Sequence, residues 1–215
     1  MNELNGAAPK SNSMMIGLIV FVALILLGIG FFVYKGQDQA QPNNSNQTTT
    51  NNNNDNDNTS ATTKAQTTLM LTPADKSVTV GETFSVDVIL DTANQPIDAV
   101  DIYALHYDSK LLRVVDDVTG QTGVQIMPGQ VLTVNGANMV DNSKGEIKFG
   151  QAAPGGTNYK GKGVLATIHF KALAAGSSKL TFDFTPGSTI DTNAAHAGKD
   201  QLRVATGAMV NVTAK

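Results

Sequence analysis

With 215 residues, no cysteine and a net charge of −3, the chain is excluded from several kinds of work before any motif is sought. Disulfides, zinc–thiolate sites and thiol catalysis fall together. With charged residues at only 15% there is no basic footprint for nucleic acid or anionic lipid.

Residues 1–13 (MNELNGAAPKSNS) are short, polar and without period, and read as a disordered cytoplasmic stub. From Met14 to Tyr34 the sequence MMIGLIVFVALILLGIGFFVY carries no charge. A helix of roughly twenty apolar residues matches the ~30 Å hydrocarbon core of a bilayer and satisfies its backbone internally, so a single transmembrane helix is predicted. A secretory signal would have a shorter apolar region of about 7–15 residues and a small-x-small cleavage site, which Phe31-Phe32-Val33-Tyr34-Lys35 does not supply. Lys10 and Lys35 flank the span almost evenly, so charge alone does not orient it. The uncleaved span and the polar tether that follows point to a single-pass membrane protein with its C-terminal domain on the cell surface.

Residues 35–66 turn abruptly to Asn, Gln and Thr and offer nothing to offset the entropy of ordering the backbone. A disordered linker of about thirty residues is predicted, with a root-mean-square reach of ~30 Å. Asp55-Asn56-Asp57-Asn58-Thr59 faintly resembles a calcium loop but lacks the Gly and closing Glu such loops need. Asn43, Asn46 and Asn58 match the glycosylation acceptor pattern, a weak signal in an Asn/Thr tract.

Residues 67–215 read as short strands between turns, and an all-β sandwich domain is predicted there. Phe84, Val86, Val88 and Leu90 alternate with Ser85 and Asp87. Along Ile97–Tyr107, alternation counted back from Tyr107 places Tyr103 and Leu105 in the core, and Ile102, Ala104 and His106 on the opposite face. Further strands are expected at 77–80, 111–115, 131–134, 146–150, 164–171, 179–184 and 208–213. Turns fall between them at Pro128-Gly129, Asn142 to Gly145, Pro154-Gly155-Gly156 and Pro186-Gly187. Ala194 to Ala197 could make no more than a turn of helix.

Several of these stretches resemble the cohesin domain family. Val80-Gly81-Glu82-Thr83-Phe84-Ser85-Val86-Asp87-Val88, then Ile97-Asp98-Ala99-Val100-Asp101 leading to Tyr107-Asp108-Ser109-Lys110-Leu111-Leu112, is similar to the first half of such a domain. Gly163 to Ala172, Gly176 to Phe182 and the closing Gly207-Ala208-Met209-Val210-Asn211-Val212 are similar to the rest. The resemblance implies a jelly-roll sandwich of about nine strands, related in shape to carbohydrate-binding modules. It also implies docking of a dockerin-like protein module through one sheet face, in assemblies for polysaccharide breakdown. Five residues before the strand-end Tyr, where dockerin-binding cohesins often carry an acid, stands Ile102; Asp101 falls on the other face unless a bulge intervenes.

The chemistry of a catalyst is missing. His106, His169 and His196 sit on separate segments without metal-ligand spacing. The pairs Asp116/Asp117 and Asp98/Asp101 are sequence neighbours rather than carboxyls across a cleft. No catalytic residue, metal or cofactor is expected, and the chain reads as a binding module rather than an enzyme. The candidate face is Ile102, Ala104 and His106, joined by Lys148 and Asp183 from neighbouring strands. Cell-surface polysaccharide is the alternative ligand. With no Trp, only Tyr159, in a Gly-rich loop, is expected to be free to stack on a sugar ring. A surface-display or adhesion module without a dedicated ligand is the third reading.

Overall fold

The computed structural model describes residues 66–215. The expected stub, the membrane span from Met14 to Tyr34 and all but the last residue of the expected linker lie outside the described residues. Among the described residues no helix is long and apolar enough to cross a membrane.

Fourteen strands make up the described part of the chain. In order they are β1 (Thr67–Thr72), β2 (Asp75–Thr79), β3 (Thr83–Asp91), β4 (Ala99–His106), β5 (Leu112–Val114), β6 (Met127–Pro128) and β7 (Val134–Asp141). They continue as β8 (Glu146–Ala152), β9 (Lys162–Ala172), β10 (Gly176–Phe182), β11 (Asn193–His196), β12 (Lys199–Asp200), β13 (Leu202–Thr206) and β14 (Ala208–Thr213). About nine strands were expected and fourteen are found: the first and last are each broken in two where the chain passes from one sheet to the other, and β6, β11 and β12 are short extra pieces.

Two sheets pack face to face. One runs β13-β1-β3-β9-β5, with β6 sharing the edge of β9. The other runs β7-β8-β4-β10-β14-β2, with β11 and β12 continuing from the part of β4 that β10 does not reach. The two ends of the domain run side by side: β1 is parallel to β13 in one sheet, and β2 is parallel to β14 in the other. The crossing points coincide, the Met209 amide donating to the Ala74 carbonyl at 2.8 Å. Gly207 makes the last crossing possible, because a Cβ there would lie 2.0 Å from the Leu180 carbonyl oxygen.

The core fills the space between the sheets. Val86, Val88 and Leu90 of β3 meet Ile168 and Phe170 of β9 and Leu105, Ile147, Phe149 and Leu180 from the facing sheet, all buried. Phe170 stacks on Phe84 at 5.7 Å and takes the edge of Tyr107 at 5.2 Å. Phe182 is half-buried against the same cluster.

Two expectations need correction. The strand expected at 131–134 begins only at Val134 and runs to Asp141. This strand buries no face continuously, so it has no two-residue period to read. It is held instead by its pairing with β8 and by Asn138, whose amide both accepts from and donates to the Ile126 backbone. The Ala-rich 194–197 stretch is strand β11 and the start of a hairpin, not a helical turn. Ala197 and Gly198 both take positive φ, 48° and 73°, as a tight two-residue turn between right-twisted strands requires.

Candidate docking face

The outer face of the β7-β8-β4-β10 sheet is set by an irregularity in β4. Ile102 pairs with Phe149 and Leu105 with Ile147, so Tyr103 and Ala104 together stand opposite Lys148 alone. This one-residue bulge reverses the alternation that precedes it. Ahead of the bulge, Val100, Ile102 and Ala104 point inward while Asp101 and Tyr103 point outward; beyond it, Leu105 and Tyr107 are inside and His106 is outside.

The bulge corrects the face expected from sequence. Ile102 and Ala104 are 1% and 2% exposed and belong to the interior, so neither is available to a partner. Tyr103, expected in the core, is 47% exposed. Asp101, one residue away from the position at which an acid was sought, reaches the outer face because of the bulge. His106, Lys148 and Asp183 are placed on this face. His106 sits between Glu146 of β8 and Thr181 of β10, and the Asp183 amide just past β10 donates to the Ala104 carbonyl at the bulge, 2.8 Å away.

Across the four strands these side chains form one row. Met139 of β7 pairs with Lys148 of β8, Lys148 lies beside Tyr103 of β4, and Asp183 continues the line. The Lys148 ammonium stands 4.9 Å from the centre of the Tyr103 ring and 3.4 Å from a Glu146 carboxylate oxygen. That geometry is a cation–π contact joined to an ion pair, and it holds a long side chain flat on the sheet. Tyr103 and Met139 are exposed apolar surface on either side of it.

Asp101 stands directly opposite Gly150. A side chain at 150 would place its Cβ 3.3 Å from Asp101 Oδ1, so the glycine leaves the carboxylate its room. Burial against the sheet pushes the Asp101 carboxyl above the usual carboxylate range, and the nearby Lys148 ammonium pulls it part of the way back.

The other candidates fall elsewhere. Tyr159 is half-buried against the core, which leaves only part of its ring open, and its backbone bridges to Ile97 through hydrogen bonds of 2.8 and 2.9 Å, away from the sheet face described above. Of the paired carboxylates, Asp116, Asp117 and Asp98 are structural, while Asp101 belongs to the docking face. Asp116 accepts from the Val118 and Gln125 amides, Asp117 lies 2.9 Å from His169 Nδ1, and Asp98 lies 2.9 Å from His196 Nδ1 while accepting from the Ala197 amide. Among the described residues no group of three or more His, Asp or Glu is placed to hold a metal ion. Sequence reasoning missed Tyr103 and Asp101 because of the bulge, and Met139 because its edge strand has no pattern. It also missed Ile190, 84% exposed on the connection from β10 to β11, which no periodicity could mark.

The family model of the cohesin domain matches residues 69–210. The chain belongs to the cohesin domain family. Cohesin domains are protein–protein binding modules and not enzymes, which bears out the non-catalytic reading. Among solved structures, the domain is similar to a type II cohesin from the cellulosome of Acetivibrio cellulolyticus, with 17% identity over 68% of this chain and 96% of that one and a TM-score of 0.55. It is similar also to the cohesin CaCohA2 of Clostridium acetobutylicum, at 20% identity, 70% and 92% coverage and a TM-score of 0.53. A third is a non-cellulosomal cohesin of the archaeon Archaeoglobus fulgidus, at 16% identity, 69% and 92% coverage and a TM-score of 0.51. At these identities the likeness speaks for the fold alone. No curated protein matches the chain.

Proposed function

We propose that this cohesin domain docks a dockerin-type module of a protein partner on the outer face of β7, β8, β4 and β10, and that the span from Met14 to Tyr34 holds it at the cell surface. The observation that carries the docking reading is the row Met139–Lys148–Tyr103, exposed on the outer sheet face and running inward from the edge strand β7. An aromatic ring, a methionine and a pinned cation ringed by Asp101, Glu146 and Asp183 have the make-up of an interface centre with a polar rim. Family membership supports the partner class, and the solved cohesin–dockerin complex of Clostridium thermocellum OlpA is one of the similar folds.

The sequence supports the anchoring part, through the uncharged 14–34 run and the polar linker after it. A role in polysaccharide breakdown belongs to the enzyme that the docked module would carry.

The test is direct binding of purified dockerin modules, encoded in the same genome, to the immobilised full-length protein in detergent. Tyr103→Ala is expected to cost at least ~2 kcal/mol of binding, as truncation of a central aromatic anchor does, while thermal unfolding stays unchanged. Docking elsewhere, or no dockerin bound by the wild type, would overturn the proposal.

A further inference from the structure

We propose that Asn135 of β7 is a site of spontaneous deamidation, assisted by the side chain of Gln151. Asn135 is followed by Gly136, and both are exposed. Glycine has no Cβ, so the Gly136 backbone nitrogen is sterically open to approach by the preceding side chain.

The local fold adds two features to that dipeptide. Asn135 pairs with Gln151 and Asn138 with Phe149, so Gly136 and Ala137 together face only Gly150; the attacking nitrogen sits in a bulge, outside the regular ladder. Gln151, 3% exposed and therefore fixed in place, donates its Nε2–H to Asn135 Oδ1 at 2.8 Å. A donor held on that oxygen polarises the side-chain carbonyl and stabilises the negative charge that builds there when a nucleophile adds. Asn135 and Gly136 also border an open recess shared with Asp117, Thr119 and Gln121, which admits water.

In the step, the Gly136 nitrogen bonds to Asn135 Cγ and loses its proton, the Cγ–Nδ2 bond breaks, and ammonia leaves. Water then opens the five-membered imide. Opening at the Cγ side gives aspartate, and opening at the main-chain carbonyl gives isoaspartate, with one extra methylene in the strand. No oxidant or other reagent is consumed.

Neighbouring asparagines lack this arrangement. Asn138 precedes Met139, and its amide is bound through both ends to the Ile126 backbone. Asn142 precedes Ser143 and is held by Tyr107 and by both backbone groups of Val114. The chemistry stands independently of the docking reading. Its consequence for docking, a new carboxylate or a lengthened backbone in the edge strand of that face, rests on it.

The experiment is peptide mapping of the full-length protein aged at neutral pH and physiological temperature, with isoaspartate methyltransferase labelling as a second readout. Conversion is expected at Asn135 and not at Asn138 or Asn142. Gly136→Ala is expected to slow it by about tenfold, a barrier increase of ~1.4 kcal/mol. Gln151→Leu is expected to slow it in the folded protein while leaving the rate in guanidinium-unfolded chain unchanged. An intact Asn135 amide in the folded protein, after the unfolded chain has converted there, overturns the site. Equal folded-state rates with and without Gln151 overturn its assisting role.

Discussion

Tyr103 and Ile102 are chain neighbours with opposite fates, and the contrast gives each a distinct test. Ile102 is closed into the core against Phe149, so Ile102→Asp would put an unpaired carboxylate where no partner can reach it. Loss of the cooperative unfolding transition is expected for that variant, whereas Tyr103→Ala retains it. Spectra and melting curves that match the wild type for Ile102→Asp would mean that the bulge is misplaced. Asp101 adds a pH signature. Its carboxyl is raised by burial, so the folded state holds the proton more tightly than the unfolded chain, and this contribution is full at acid pH and lost as pH rises through the raised value. The stability of Asp101→Asn relative to wild type should therefore improve as pH rises from below the ordinary aspartate value of 3.8 towards neutrality, in parallel denaturant titrations. A constant difference across that window would mean that Lys148 compensates the burial fully.

At the level of strands and turns, Asn142 ties the two sheets together. From the β7–β8 turn its Oδ1 accepts from the Tyr107 hydroxyl at 2.7 Å and the Val114 amide at 2.8 Å, and its Nδ2 donates to the Val114 carbonyl at 3.0 Å. Tyr107 is pushed up to about 12, chiefly by burial, with Asp141 adding to the shift and Val114 and Arg113 opposing it. Because the folded value is raised, the stabilisation is complete below the ordinary tyrosine value near 10 and is lost as pH climbs towards 12. Tyr107→Phe should remove this part of the alkaline destabilisation, at the expense of about 0.5–1.5 kcal/mol at neutral pH for the lost hydrogen bond. Base titrations of the two proteins that superimpose would show that the ring ionises freely. This staple lies between elements far apart in sequence, and nothing in the local pattern announces it. What was legible is what repeats every second residue: β3 and β9, with Phe84, Val86, Val88, Ile168 and Phe170 inside, follow directly from alternation. The candidate face was only half legible, since alternation is a local rule that a bulge resets. Counting back from Tyr107 crossed the reset between Ala104 and Leu105, and two adjacent apolar residues inside an otherwise alternating strand were the one available sign of it.

For the domain as a whole, its first and last strands lock the sandwich by running in parallel through both sheets. The closing strand can pass from β13 to β14 only because position 207 has no side chain, with the Leu180 carbonyl standing where a Cβ would go. Gly207→Ala must therefore push β14 off β10, and since among the described residues β14 is also the sole strand partner of β2, the disturbance reaches β2 as well. Overpacking of this kind costs typically 1–3 kcal/mol, and the backbone contact puts the expected loss at or above the upper end. Unfolding should stay a single transition, because β2 and β14 have no other sheet to join. Hydrogen exchange in Gly207→Ala should then rise together across β2, β10 and β14, while β3 and β9 remain protected until global unfolding. Exchange confined to β14 alone would mean that the last strand is an appendage and that the parallel pair does not close the fold.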